Sequence, residues 1–156
     1  MIDQASAAAL PELRIWCLGG FRATLGGSPV VFETDKGRAL LAYLAVEANQ
    51  PHRRERLAGL FWSDQSEDKA LHNLRQTLGG LRKALGDEPF RPGAPYQPFF
   101  EPLLLVQRET LQLNPARGAW LDVGQFQQVL QDALCFYTGG IADLVLGRGR
   151  LNLRLL

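Results

Sequence analysis

Apolar and polar residues alternate from Leu13 to Leu25: Leu13, Ile15 and Cys17, then Phe21, Ala23 and Leu25, with Gly19-Gly20 between the two runs. A period of two marks half-buried strands, and a glycine pair between them predicts a turn. Gly26-Gly27-Ser28 offers a second tight turn before Pro29-Val30-Val31-Phe32, so the chain opens as a small antiparallel sheet. At Thr34-Asp35 the period lengthens. Leu40, Leu41, Leu44 and Ala45 form a helical stripe that stops near Asn49, ahead of Pro51, and this predicts a first helix over 35–48. A second helix opens around His52 to Arg54, places Leu57, Leu60 and Phe61 on one face and ends near Trp62. Ser63-Asp64-Gln65-Ser66-Glu67-Asp68 then supplies N-cap candidates and first-turn acids, with Asp64 and Glu67 at loose capping-box spacing. Leu71, Leu74, Leu78, Leu81 and Leu85 recur every three or four residues up to Gly86, the strongest helical period in the chain.

Residues 87–102 contain five prolines and read as a loop, because proline fits neither a helix interior nor a central strand. Leu103 to Leu113 has the apolar, β-branched content of a strand pair turning near Arg108-Glu109. A further helix begins at Asp122, carries Val123, Phe126, Leu130, Ala133 and Tyr137 on one face, and is expected to end at Gly139-Gly140. The final GRGRLNLRLL reads as a frayed end.

A length of 156 residues with 46% hydrophobic and 21% charged residues describes an ordinary globular protein that buries roughly 70% of its unfolded surface. The net charge of +1 is uninformative as a whole, but it divides into −1 over 1–34, +3 over 35–86 and −1 over 87–156. The excess sits on the three helices. Arg53, Arg54 and Arg56 crowd the start of the second helix, where cations oppose the macrodipole, so local helix stability does not account for them. Cys17 and Cys135 are too few for a disulfide framework and read as reduced thiols, Cys17 in the core. The N-terminus lacks a basic start followed by a long apolar run, and no apolar stretch approaches the ~18–20 residues of a membrane span, so a cytoplasmic protein is expected.

The inventory for catalysis is thin. His52 and His72 have no metal-site spacing with the cysteines or acids, and no phosphate-binding glycine loop, nucleophile elbow or Cys-His pair occurs. No cofactor and no enzymatic activity are expected. What remains is an order of elements: a small sheet, three helices and a hairpin, in which helices two and three form a helix-turn-helix and the hairpin a wing.

Opposite its leucines the third helix carries Lys69, His72, Asn73, Gln76, Gly79, Gly80 and Lys83. Gln76 and Asn73 suit adenine edges, His72 and Thr77 can bond bases or phosphates, and Lys69 and Lys83 can neutralise phosphates. Arg53, Arg54 and Arg56 fit a backbone contact where helix two crosses the duplex, and Gln107 and Arg108 stand at the wing tip, from which Arg108 can enter a minor groove. The plain alternative for each is solvated helix surface. Arg75 and Arg82 lie beside the leucines and suit intramolecular salt bridges better than base contact.

The runs GRALLAYLAVEANQPHRRERLAGLFW, ALHNLRQTLGGLRKALG and LLLVQRETLQLNP resemble the DNA-binding domain of SARP/AfsR-type bacterial transcriptional activators, which is similar to the OmpR/PhoB winged helix. The resemblance covers about residues 13–115, and DVGQF at Asp122 to Phe126 resembles the start of the bacterial transcriptional activator domain of that family. It implies an α+β winged helix-turn-helix: an N-terminal four-stranded sheet, three helices and a C-terminal wing. The expected organisation is a tail over 1–12, the winged helix over 13–115 with a Pro-rich loop at 87–102, and the opening part of the helical activator domain over 120–156.

The implied function is sequence-specific binding of double-stranded promoter DNA with activation of transcription, the third helix reading the major groove. Candidate partners are promoter DNA, RNA polymerase through the 62–67 loop and a second copy of the chain. Family members commonly carry Ser/Thr and Arg near Gly79 and Gly80, so this helix lacks side chains that touch phosphate there. Each glycine also costs about 0.5–1 kcal/mol relative to alanine in a helix interior. Two other classes share these features: a protein-interaction module that has lost its DNA, and a truncated regulator fragment.

Overall fold

The computed structural model describes residues 11–87 and 101–145, and side chains as far as Ala133. The tail over 1–10, the proline-rich stretch 88–100 and the segment 146–156 lie outside the described residues. The chain divides into two compact units, Met1–Asp122 and Val123–Leu156.

In the first unit, β1 (Leu13–Trp16) pairs antiparallel with β2 (Arg22–Leu25), Leu13 opposite Leu25 and Trp16 opposite Arg22. The alternation does what its period predicts: Leu13, Ile15 and Ala23 are buried. Cys17 is only half-buried and packs against the core's edge. Gly26 and Gly27, at φ 57° and 85°, form the two-residue link to β3 (Ser28–Pro29). A hairpin turn with both central residues at positive φ matches the right-handed twist of strands, which is why glycines stand there. The third strand is shorter than the Pro29–Phe32 run suggests. Val30 N still donates to Ala23 O at 2.9 Å, and beyond it the chain leaves the sheet for α1 (Asp35–Val46).

Thr34 caps α1, its Oγ1 accepting from Gly37 N at 3.1 Å, and Leu40, Leu41 and Leu44 are fully buried. The second helix opens at Arg54, the last position of the expected start. His52–Arg53 is a strand, β4, ahead of α2 (Arg54–Phe61), because it pairs with the distant hairpin. Leu57 and Ala58 are buried, whereas Leu60, expected on the apolar face, is 55% exposed. α3 (Glu67–Ala84) has Ser66 as N-cap, without a side-chain cap bond, so the Asp64/Glu67 capping box does not form. Its buried stripe is Ala70, Leu74, Leu78, Leu81 and Leu85, with Leu71 half-buried, and each fully buried leucine contributes about 1.5–3 kcal/mol.

α3 ends in a Schellman motif: Gly86, at φ 63°, donates to Lys83 O at 3.1 Å, and Asp87 N donates to Arg82 O at 2.8 Å. Arg82 returns two bonds to Asp87 O, at 3.3 and 3.2 Å, so its partner is a carbonyl rather than the acid expected for it. The Asp87 side chain, 2% exposed, accepts from Leu103 N at 2.7 Å and Leu104 N at 2.9 Å. These bonds tie the end of α3 to β5 (Leu104–Val106), which pairs with β6 (Thr110–Leu113) as the expected hairpin. Burial pushes the Asp87 carboxyl up, against the downward pull of those two N–H groups, Arg82 and Arg117.

The two sheets run β4-β6-β5 and β3-β2-β1-β7, the last strand being Trp120–Leu121, parallel to β1. The four-stranded sheet is therefore completed from beyond the hairpin and not from the N-terminal segment alone. Asp122 fixes that closure, its carboxylate accepting from Cys17 N at 2.9 and 3.0 Å and from Leu18 N at 3.0 Å.

The second unit contributes the bulk of α4 (Asp122–Val145). The helix does not stop at Gly139-Gly140. A glycine ends a helix when it takes a left-handed conformation; otherwise the helix continues, at about 1 kcal/mol per glycine. Phe126, Val129 and Leu130 are exposed on α4, and the Tyr137 and Cys135 side chains lie outside the described residues.

Candidate nucleic-acid interface

α3 is held from behind. Its leucines pack on α1 and α2, so its orientation follows from the core. Of the residues singled out on its polar side, Lys69, His72 and Gln76 are exposed and make no hydrogen bond or ion pair among the described residues. Thr77 is half-buried. Asn73 is engaged: its Nδ2 donates to Gln65 Oε1 at 2.9 Å, which orients the amide from the α2–α3 loop. Lys83 is engaged too, with Nζ 3.0 Å from Glu33 Oε1. Gln76, Thr77 and Gly80 line a cleft of about 190 Å³ against Glu33, Thr34 and Gly37 at the start of α1.

The basic start of α2 belongs to the hairpin as much as to the helix. Arg53 is in register with Thr110, and Arg54 N donates to Glu109 O at 2.9 Å. Arg53, Arg54 and the hairpin turn carrying Gln107 and Arg108 thus lie side by side, although cations at a helix start are disfavoured by the dipole. Arg53, Arg56 and Arg108 are exposed. Arg54 is half-buried, and its Nε is buried with no hydrogen-bond partner among the described residues. Gln107 is exposed at the hairpin turn, its Oε1 accepting from Thr110 Oγ1 at 3.1 Å. Arg75, exposed on α3, makes no ion pair with a described acid, contrary to the intramolecular pairing expected for it.

The loop between α2 and α3 is anchored at one end and open at the other. Trp62 is buried and Ser63 to Glu67 are exposed. Lys36 reaches from α1 to donate to Phe61 O at 2.6 Å, and its ammonium lies 5.8 Å from the centre of a Trp62 ring. A cation at the last carbonyls of α2 complements that helix's dipole. His52 reaches from β4 in the same way: its ring packs edge-on against Tyr43 at 5.1 Å, with Nε2 3.0 Å from Glu47 O. A buried histidine bonded to a carbonyl is structural, not a ligand.

Sequence reasoning passed over Glu33, Lys36 and Gln65, whose partners lie far along the chain or on the backbone. Lys36 alone carried a hint, a cation in the first turn of a helix where the dipole disfavours it.

Over 87 residues the chain is 31% identical to the transcriptional regulatory protein EmbR of Mycobacterium tuberculosis and of Mycobacterium bovis. The chain is similar to transcriptional regulators. The match takes in 56% of this chain and 22% of each relative, so it spans a little under a quarter of their length. The solved structure of M. tuberculosis EmbR in complex with a low-affinity phosphopeptide superposes with a TM-score of 0.50 at 26% identity, covering 67% of this chain and 25% of that one. The mixed α/β arrangement of helices and small sheets is therefore shared with EmbR. No protein-family model matches the chain.

Among the described residues, no three His, Cys, Asp or Glu side chains converge as metal ligands, and no helix is long and apolar enough to cross a membrane.

Proposed function

We propose that residues 13–115 act as a winged helix-turn-helix of the OmpR/PhoB type, binding double-stranded promoter DNA in the cytoplasm as the DNA-contacting part of a SARP-type activator of transcription. One observation carries the reading. α3 buries its leucines along one side while Lys69, His72 and Gln76 stand exposed on another without protein partners, which is what a helix inserted in a major groove requires. The similarity to a transcriptional regulator supports it. In this reading Gln76 and Asn73 meet base edges, and His72 and Thr77 meet bases or phosphate. Lys69, Arg53, Arg54 and Arg56 neutralise phosphate. The β5–β6 hairpin is the wing, with Arg108 and Gln107 at its tip. Ser63 to Glu67 form the exposed part of the 62–67 surface for RNA polymerase, a second copy binds an adjacent half-site, and residues 120–156 begin the helical activator domain. The chain's role is binding, not catalysis.

The test is a salt titration of the full chain on a mixed promoter pool. Arg53→Ala should weaken binding to all duplexes and reduce the log–log salt slope by about 0.9. Gln76→Ala with Asn73→Ala should instead narrow the gap between selected and random duplexes, by about 1–3 kcal/mol per base contact. Equal losses on both duplexes for both variants would show the roles to be wrong. A wild-type slope near zero would favour the protein-interaction module, for which the exposed Phe126, Val129 and Leu130 provide a surface.

A further inference from the structure

Gly80 has no conformational reason to be glycine. It lies inside α3, and its φ is not among the positive ones of the described residues. Its surroundings differ from those of its neighbour: a Cβ built at Gly80 would lie 3.2 Å from Glu33 Oε2, a tight contact, whereas one at Gly79 would meet nothing within 4 Å. The other oxygen of the same carboxylate accepts from Lys83 Nζ at 3.0 Å. Glu33 precedes the N-cap of α1, and it lines the cleft shared with Gln76 and Thr77. A carboxylate is thus seated on the polar side of α3, against Gly80, among side chains assigned above to the duplex. Stability does not account for the arrangement. The two side chains are 60% and 65% exposed, and such ion pairs are weak and screened by salt.

We infer that Glu33 is a specificity-setting residue of the interface. Building on the DNA-binding reading above, Glu33 neutralises one of the two lysines of α3 and repels phosphate. Non-specific binding is thereby suppressed, and the carboxylate is tolerated only where the duplex offers it a donor, such as the exocyclic amine of cytosine. The glycine that looks like a loss from the recognition helix is, on this account, the seat of that acid.

Two glycine substitutions separate this role from helix propensity. Both Gly79→Ala and Gly80→Ala favour the helix, but only Gly80→Ala crowds Glu33. Binding of the full chain to a random-sequence duplex pool is measured across a salt series for wild type, Glu33→Gln, Gly79→Ala and Gly80→Ala. Glu33→Gln should tighten binding by roughly 3- to 10-fold at low salt and steepen the log–log slope by about 0.9, the yield of one freed cation. Gly80→Ala should move in the same direction and Gly79→Ala should not. A salt-dependent wild type with an unchanged Glu33→Gln would overturn the inference alone, as would equal responses from the two alanine variants. A wild-type slope near zero would overturn it together with the DNA-binding reading.

Discussion

Asp87 is the joint between α3 and the hairpin, and replacing it with asparagine tests whether the hairpin's place depends on it. Each carboxylate oxygen accepts one backbone N–H, Leu103 at 2.7 Å and Leu104 at 2.9 Å, in a site 2% exposed. Asparagine offers one oxygen and one NH2, so one of the two buried N–H groups faces a donor. An unsatisfied buried donor costs about 1–3 kcal/mol, and the lost attraction to Arg82 and Arg117 adds to it. Relief from burying a charge works the other way, so a net loss of about 1–3 kcal/mol is expected, read as a lower urea midpoint with unchanged m-value.

The pH dependence carries an independent sign. Because burial raises the Asp87 pKa above the ordinary 3.8, the folded state holds its proton up to a higher pH than the unfolded state does. Between those two values the folded form binds more protons, so this group's contribution to stability falls as pH rises through the window and grows as pH is lowered. Subtracting the Asp87→Asn profile from wild type should isolate that trend. The reasoning fails if the variant unfolds within about 0.5 kcal/mol of wild type, a range typical of surface substitutions away from special features. It fails equally if the difference profile slopes the other way.

Gly79→Ala should stabilise the chain by about 0.5–1 kcal/mol in urea unfolding, since a Cβ there meets only open space. Lys36→Met removes the bond to Phe61 O and should cost about 0.5–1 kcal/mol, with faster hydrogen exchange confined to the end of α2 and the following loop. Asp122→Asn should lower the Cys17 thiol pKa, because Asp122 is the second cause, after burial, of its upward shift. Alkylation at neutral pH should quicken while burial keeps the thiol less reactive than a free cysteine.

The helices were legible because helical burial repeats locally: Leu74, Leu78, Leu81 and Leu85 announce which side of α3 is covered, and the exposed Lys69, His72 and Gln76 follow from the same periodicity. Strands of two residues leave no such trace. β4 and β7 exist because of partners 59 and 106 positions away, His52 with Leu111 and Arg14 with Trp120, and a window of sequence holds neither pair. The site divides along the same line. Which residues of α3 face outward could be read, but not that Asn73 is held by Gln65 or that Lys83 is met by Glu33. Asp87 gave no signal at all, since its partners are backbone amides, which every residue but proline possesses.

The same distinction sharpens the meaning of the +3 excess over 35–86. Nine cations make up its positive side. Lys36 is bound to Phe61 O, Arg38 pairs with Asp35 at 3.4 Å, Arg82 holds Asp87 O and Lys83 meets Glu33. Arg53, Arg54, Arg56, Lys69 and Arg75 make no side-chain hydrogen bond or ion pair among the described residues, and Arg108 on the hairpin joins them. Net charge is thus a poor guide to phosphate binding and partnerless cations a better one. With about 0.9 in slope per phosphate, these six bound the log–log salt slope of one copy at about −5. A measured slope between about −3 and −5 fits a single copy using this set. One near −10 needs a second copy on the duplex, which sedimentation would show as a complex containing twice the protein mass. A slope that steep with only one copy bound would mean that the set of phosphate-binding residues is wrong.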